Sequence, residues 1–254
     1  MTILFDNQGA APGETIGWRL AASSRVLAEI YATWDAEAAG EALACRAGCG
    51  ACCTDRVALG WAEARVLRDG LRAMGRHDLI EAIVERQPPP QARPRATTNQ
   101  VAALCLAGQE PPDDPAPAEP AGRCPLLGPD ERCLAYVQRP LACRIMASRR
   151  RCRAGGEAVL GDWLITLGLC LSQLAEQCSA GEPYGLLSDV LARQTGQTGR
   201  PLLCCQDLPG LPAPPEHLER LERVVGALMA RPCLNGLPVG HWLGRLRVGA
   251  PRQA

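Results

Sequence analysis

The chain contains no lysine: all 27 of its basic residues are arginine. Any mechanism that needs a lysine Schiff base or a phosphate-loop lysine is therefore excluded. Histidine is scarce, with only His77, His217 and His241. None lies near a cysteine cluster in sequence, so a mixed Cys/His zinc finger has no support, and a Cys–His hydrolase would need the fold to bring one close. Neither sign of charge is in excess: the 27 arginines face 27 acidic residues, for a formal net charge of zero. That argues against a general nucleic-acid binder, which needs a basic surplus to neutralise phosphates. Long apolar runs are missing too. The best candidate, Val159 to Leu171, is interrupted by Asp162 and falls short of the roughly 18 residues of a membrane span, so no membrane partner is expected. Residues 1–22 show no basic segment leading into an apolar one. No secretory signal is visible there, and a soluble cytoplasmic protein is the expectation. Glycine-rich phosphate loops, serine nucleophile elbows and paired-carboxylate signatures are likewise missing.

What is present is a globular composition, 47% apolar and 21% charged over 254 residues, enough for one good core or two small domains. Helical periodicity dominates. Ile16, Leu20, Leu27, Ile30, Tyr31 and Trp34 predict an amphipathic helix over about 16–40. Trp61 to Met74 and Asp78 to Arg86 read as two more, broken near Gly75, and Thr97 to Leu106 as a short one. Leu160, Leu164, Leu167, Leu171 and Leu174 form a strong stripe. Pro183 to Arg193 reads as a further helix, and Leu218, Leu221, Val225 and Leu228 share the face of a last clear one. Alternating strand patterns are scarce, Val57 to Leu59 being the best. Glu110 to Gly122, with five prolines, reads as a loop or linker. The expected fold is mainly α: a compact helical domain with irregular cysteine-rich loops around a metal site. The expected division is a cysteine-cluster domain over 1–180 and a helical extension over 181–254.

The unusual number is 14 cysteines. A reduced protein has little structural use for so many thiols, so in the absence of an export signal metal ligation is expected. The densest group is Cys45-x3-Cys49-x2-Cys52-Cys53. As a helix, Cys45, Cys49 and Cys52 share a face; as a loop, Gly48 and Gly50 let the backbone fold round an ion. Thiolates are soft ligands that suit zinc or an iron–sulfur cluster. Cys45, Cys49 and Cys52 also have the spacing of radical S-adenosylmethionine enzymes, but a helix precedes them where those enzymes place a strand. A second segment carries Cys124-Pro125, Cys133-x-x-Tyr136, Arg139-Pro140 and Cys143-Arg144. Cys124, Cys133 and Cys143 can share a site only if the chain between them folds back.

Taken together, the two segments resemble the YkgJ-type cysteine-cluster family, described as a zinc- or iron-chelating domain. Its pattern is CxxxCxxCC, then Cys-Pro, Cys-x-x-Tyr, Arg-Pro and Cys-Arg, and these elements stand in order over residues 45–144. The resemblance implies metal binding by Cys45, Cys49, Cys52, Cys53, Cys124, Cys133 and Cys143. One branch resembles flagellin lysine N-methylase, which implies S-adenosylmethionine as cofactor and makes methyl transfer the enzymatic alternative.

The remaining candidates are weaker. Arg139 and Arg144 are the candidate cofactor-binding residues, placed to donate hydrogen bonds near cluster sulfurs. Tyr136 reads as packing. Cys152, in the run Arg149-Arg150-Arg151-Cys152-Arg153, is equally a ligand, a reactive thiol or a plain loop cysteine. Cys170 and Cys178 fall on or beside the leucine stripe and read as core thiols, as does Cys105. Cys204, Cys205 and Cys233 sit in proline-rich loops, with no spacing rule to make them ligands. Seven thiolates exceed one tetrahedral zinc, and all-cysteine ligation without histidine favours iron–sulfur, with zinc close behind. A redox, structural or metal-handling role follows.

Overall fold

The computed structural model describes residues 17–46, 48–113, 121–152 and 158–248. Its helices are α1 (Gly17–Ala39), α2 (Trp61–Ala73), α3 (His77–Val84), α4 (Thr98–Leu106), α5 (Leu141–Ile145), α6 (Asp162–Gln177), α7 (Leu187–Gln194), α8 (Pro215–Ala230) and α9 (Val239–Arg245). Three short strands complete it: β1 (Ala58–Gly60), β2 (Pro183–Leu186) and β3 (Leu203–Cys204). They form one antiparallel sheet in the order β1-β2-β3, with Leu59 opposite Gly185 and Tyr184 opposite Leu203. The protein is mainly α-helical. Among the described residues no helix is long and apolar enough to cross a membrane.

Two cores organise these elements. In the first, α1 contributes Val26, Leu27, Ile30 and Trp34, and α6 contributes Leu164, Leu167, Leu171 and Leu174. Leu221, Val225 and Leu228 of α8 and Trp242 and Leu243 of α9 close it. The spacings are those of one helix face turned inward. In the second core, Leu67 and Leu71 of α2, Ile80 and Ile83 of α3, and Val190 and Leu191 of α7 pack around Leu59 and Leu126. Residues beyond 181 thus feed both cores, α7 the second and α8 and α9 the first.

Local chemistry explains several boundaries. α4 opens on a capping box. The Gln100 N–H donates to Thr97 Oγ1 (3.2 Å), and the Thr97 N–H donates to Gln100 Oε1 (2.8 Å). α2 and α3 part at Gly75, whose φ of 70° suits glycine and few others. The stretch expected as one helix over 183–193 is divided instead. Pro183–Leu186 pairs between β1 and β3, and the helix starts only at Leu187. Backbone pairing on both sides overrides the helical pattern there, and Pro183 and Gly185 are poor helix formers. α9 was not visible in the sequence: seven residues behind Pro238 carry only Val239, Trp242 and Leu243 as an apolar face. Cys105 is not in the core. α4 turns Asn99 and Ala102 inward, and its last turn, with Cys105, is exposed. The linker residues 114–120, Ile16 of the first helical stripe and Arg153 lie outside the described residues.

One buried carboxyl ties both ends of this frame to the segment that carries Cys143 and Arg144. Glu63 of α2 accepts from the Tyr31 hydroxyl of α1 (2.9 Å) and from the Leu141 N–H at the start of α5 (2.8 Å). α5 has only five residues, so without that acceptor little local structure holds it. Burial pushes the Glu63 carboxyl above its ordinary range, only partly offset by the two donors. Replacing Glu63 by Ala should lower stability by about 2 kcal/mol, because two buried donors lose their acceptor. Replacing it by Gln keeps an oxygen and should cost much less. A raised folded-state pKa means that the protonated form suits the fold. Wild-type stability relative to E63Q should therefore be greatest below the ordinary carboxyl pKa and fall as pH rises through the raised value. Thermal melts of both variants across that range check the order and the sign.

Candidate metal centre

The first cysteine segment is a run of turns, not a helix. The Cys49 N–H donates to the Arg46 carbonyl, Cys53 to Gly50 and Thr54 to Cys52, each at 3.0 Å. Gly48 takes φ 85°, a left-handed conformation. Gly50 is needed for space: a Cβ there would meet Leu127 Cδ2 at 2.7 Å and the Glu131 carboxylate closer still. The sequence left helix and loop open, and the backbone takes the loop.

The second segment folds back against the first. The Cys124 N–H donates to the Cys53 carbonyl (3.0 Å), and Thr54 bridges Arg123. A tight reversal through Gly128 and Glu131 sets Cys133 opposite Leu127. The chain then passes Arg139-Pro140 into α5, which carries Cys143. After α5 it returns beside Cys45. The Ala44 N–H donates to the Ser148 carbonyl (2.8 Å), the Ser148 N–H to Cys45 Sγ (3.2 Å), and Cys52 Sγ to the Met146 carbonyl (3.8 Å).

The result is a cavity of about 550 Å³ lined by Cys45, Cys49, Cys52, Cys53, Cys124, Cys133 and Cys143. Cys152 lines it as well. The cavity lies at the seam of the cores: Trp34 and Leu43 belong to or pack on the first, and Leu126 and Leu187 belong to the second. All fourteen cysteines are free thiols. Cys105, Cys170, Cys178, Cys204, Cys205 and Cys233 do not line the cavity. Cys170 and Cys178 are fully buried in the first core, as the leucine stripe predicts. Cys204 is exposed on β3. Cys205, expected in a loop, is buried beside the sheet, where its N–H donates to the Glu182 carbonyl (2.8 Å). The sequence placed Cys152 no more firmly than a loop cysteine. Its arginine neighbours left ligand, reactive thiol and loop cysteine equally open, and the Ala44–Ser148 pairing brings its segment back to the first cluster. Among the described residues no three Cys, His, Asp or Glu side chains close into a coordination shell; the sulfurs share one space without converging on a point.

The arginines divide the work. Arg144 lines the cavity, yet three of its N–H groups donate to the Arg139 carbonyl (3.1 Å), Asp35 Oδ2 (2.7 Å) and the Val137 carbonyl (2.7 Å). Its guanidinium also stacks on Tyr31 at 4.5 Å. It fastens the loop before α5 to α1. Arg139 stacks on Tyr136 at 4.0 Å and keeps a buried Nε with no partner among the described residues. Its charge lowers the Cys52 and Cys143 thiols. Tyr136 is half-exposed, so it serves as a platform for Arg139 more than as core packing.

The thiols are unequal. The Cys53 thiol donates to Cys52, which brings Cys52 down to about 6 with help from Arg139, and the same bond drives Cys53 upward. Burial pushes Cys143 up to about 12 and raises Cys124 and Cys45 as well, each with neighbouring thiols adding to the effect. The donor set fits a soft, thiophilic metal: eight sulfurs, no histidine among the lining residues, and an unpaired arginine N–H beside them. In metal-free protein, Cys53→Ala should raise the Cys52 pKa strongly, by removing the donor that lowers it most. Arg139→Gln should raise it by a smaller step. The pH dependence of Cys52 alkylation, read by mass spectrometry, checks both; a larger shift in R139Q contradicts the ranking.

No curated protein and no solved structure matches the chain. A family model does: residues 44–157 match the CxxCxxCC family, described as a "putative zinc- or iron-chelating domain". The match spans both cysteine segments and the return strand that carries Cys152. Residues 44–157 of this chain are therefore similar to the CxxCxxCC zinc- or iron-chelating domain.

Proposed function

We propose that the protein binds an iron–sulfur cluster or zinc through the thiolates of Cys45, Cys49, Cys52, Cys53, Cys124, Cys133 and Cys143, in a redox, structural or metal-handling role. One observation carries this reading: two cysteine segments far apart in sequence line a single cavity. Sulfur is its only metal-seeking nitrogen or sulfur donor type, since no histidine lines it. That donor set favours an iron–sulfur cluster, with zinc second. Arg139 is placed to donate to a metal-bound sulfur and to offset the negative charge of a thiolate shell. A bound metal supplies either electron transfer or a cross-link, and the chain supplies the ligands and their counter-charge.

Metal analysis after anaerobic purification tests the reading. Iron with acid-labile sulfide and a brown charge-transfer absorbance identifies the cluster; stoichiometric zinc without sulfide identifies the ion. Neither metal at stoichiometric level overturns the proposal. Cys49→Ser and Cys52→Ser should lose metal, while Cys178→Ser, in the core, should keep it. Because Cys45, Cys124 and Cys143 hold their protons above the ordinary thiol range, loading must release them. Affinity should fall as pH is lowered, by about tenfold per pH unit for each proton displaced. A pH-independent affinity contradicts ligation by these thiols.

A second reading rests on size. The cavity's 550 Å³ falls within the roughly 300–1,000 Å³ of small-molecule sites, more than one ion needs. An S-adenosylmethionine-dependent methyltransferase resembling flagellin lysine N-methylase is that alternative. It requires S-adenosylmethionine at a hundred times its Kd to stabilise the loaded protein by about 2.7 kcal/mol. A melting temperature indifferent to the cofactor removes it.

A further inference from the structure

We propose that the protein carries a second binding site, away from the cysteines, for a small organic acid: the carboxylate on Arg93, the apolar body against a wall of proline and leucine. This stands independently of the metal-binding reading.

The site is a cavity of about 380 Å³ lined by residues 90–95, by β2 and by residues 201–203 at the start of β3. That volume lies within the roughly 300–1,000 Å³ of small-molecule sites. It shares no lining residue with the cysteine cavity. Its wall has little to offer water. Pro90, Pro94 and Pro201 have no N–H to donate, and Leu186, Leu202 and Leu203 add apolar surface. Gly185 of β2 lets Leu202 close on the bare backbone, since a Cβ there would lie 2.7 Å from Leu202 Cδ2. Tyr184 contributes its ring, while its hydroxyl faces the Thr98 hydroxyl at 3.3 Å.

The charge on this wall has one sign. Arg93 and Arg95 line the cavity, and among its described lining residues there is no Asp, Glu, His or Cys. Arg93 is held in place: Nε donates to Asp189 Oδ2 (2.8 Å) and one Nη to Asp189 Oδ1 (3.4 Å). The Asp189 side chain is 1% exposed and is shared. Arg200 donates to the same Oδ1 (3.3 Å), and is itself fixed by the carbonyls of Val84 (2.6 Å) and Ser188 (3.3 Å). Two guanidiniums on one carboxylate leave one positive charge over within this trio. The fork on Asp189 sets the plane of the Arg93 guanidinium and turns its opposite edge away from Asp189. A planar carboxylate matches such an edge. Because a buried carboxylate orients the cation before any ligand arrives, little ordering cost falls on binding. Arg95, which is exposed, adds a second cation on the solvent side.

Benzoate, titrated into nitrogen-15-labelled full-length protein and followed by amide shifts, is the probe. The shifts should centre on Gly185, Leu202 and Leu203 and saturate with a Kd of about 1 mM, ordinary for so small a ligand. Benzamide keeps the shape without the charge and should bind about tenfold more weakly. Inorganic phosphate keeps charge without the apolar body and should also bind more weakly than benzoate. Arg93→Gln should weaken benzoate about tenfold, and Arg95→Gln about two- to fivefold. Benzamide equal to benzoate overturns the carboxylate, and phosphate equal to benzoate overturns the organic acid. A folded R93Q with unchanged affinity overturns the role of Arg93. Shifts centred on the cysteine segments overturn the site itself, as does the absence of shifts at about 10 mM benzoate, ten times the expected Kd. Should R93Q fail to fold, Leu203→Trp fills the cavity while leaving every charge in place. It should abolish the benzoate shifts, and a folded L203W that binds as the wild type does overturns the site.

Discussion

Crowded sulfur is the constraint to which the rest of this structure answers. Eight thiols line one cavity, and eight thiolates in so small a space would repel one another strongly. The protein meets that repulsion by keeping protons on. Burial and mutual charge hold Cys45, Cys124 and Cys143 in the thiol form, and Cys52 and Cys53 share a proton between them. Arg139, stacked on the ring of Tyr136, helps to lower the Cys52 thiol. Because no lysine is present, every cation near the site is a guanidinium, and a guanidinium does not lose its charge in the working pH range.

The helices matter to the site through what they hold still. The cysteine segments contain almost no regular structure of their own, so their geometry is borrowed. α1 and α6 form one wall through the first core, and α2 and α7 form the other through the second. Glu63 reaches from the second group to Tyr31 in the first and to the start of α5. Arg144 answers from the opposite side, binding Asp35 of α1 and two loop carbonyls. A short helix bearing one cysteine is thus fixed from two directions by Glu63 and Arg144 rather than by its own length.

The sequence was legible where one physical signal acted alone. α1, α2, α3 and α8 follow their apolar stripes because each buries one face, α6 keeps its leucine stripe while being buried nearly all round, and the cysteine segments announced themselves by spacing. It was less legible where long-range contacts decided the outcome. β2 exists because β1 and β3 flank it, and nothing within Pro183–Leu186 encodes those partners. Cys105 kept a helical apolar position that the last turn of α4 carries into solvent. Cys152 gave no spacing signal, because its approach to Cys45 depends on a backbone bond to Ser148 formed across about a hundred residues of chain. Arg139 and Arg144 looked equivalent in the motif. Only the fold shows that one is committed to carbonyls and a carboxylate, while the other keeps a free N–H beside sulfur.

The return of the chain from α5 to Cys45 has a consequence for the unfolded protein. A metal shared by thiols at the two ends of that path is a cross-link, and a cross-link acts on the ensemble of open chains. Closing a loop of about 100 residues removes conformational freedom worth on the order of 4–5 kcal/mol by the loop-entropy relation. The many prolines and the unpatterned stretch between the two cysteine segments then cost little in the loaded state, since loop-closure entropy grows only with the logarithm of length. A segment of that kind can lengthen or shorten without undoing the centre it connects.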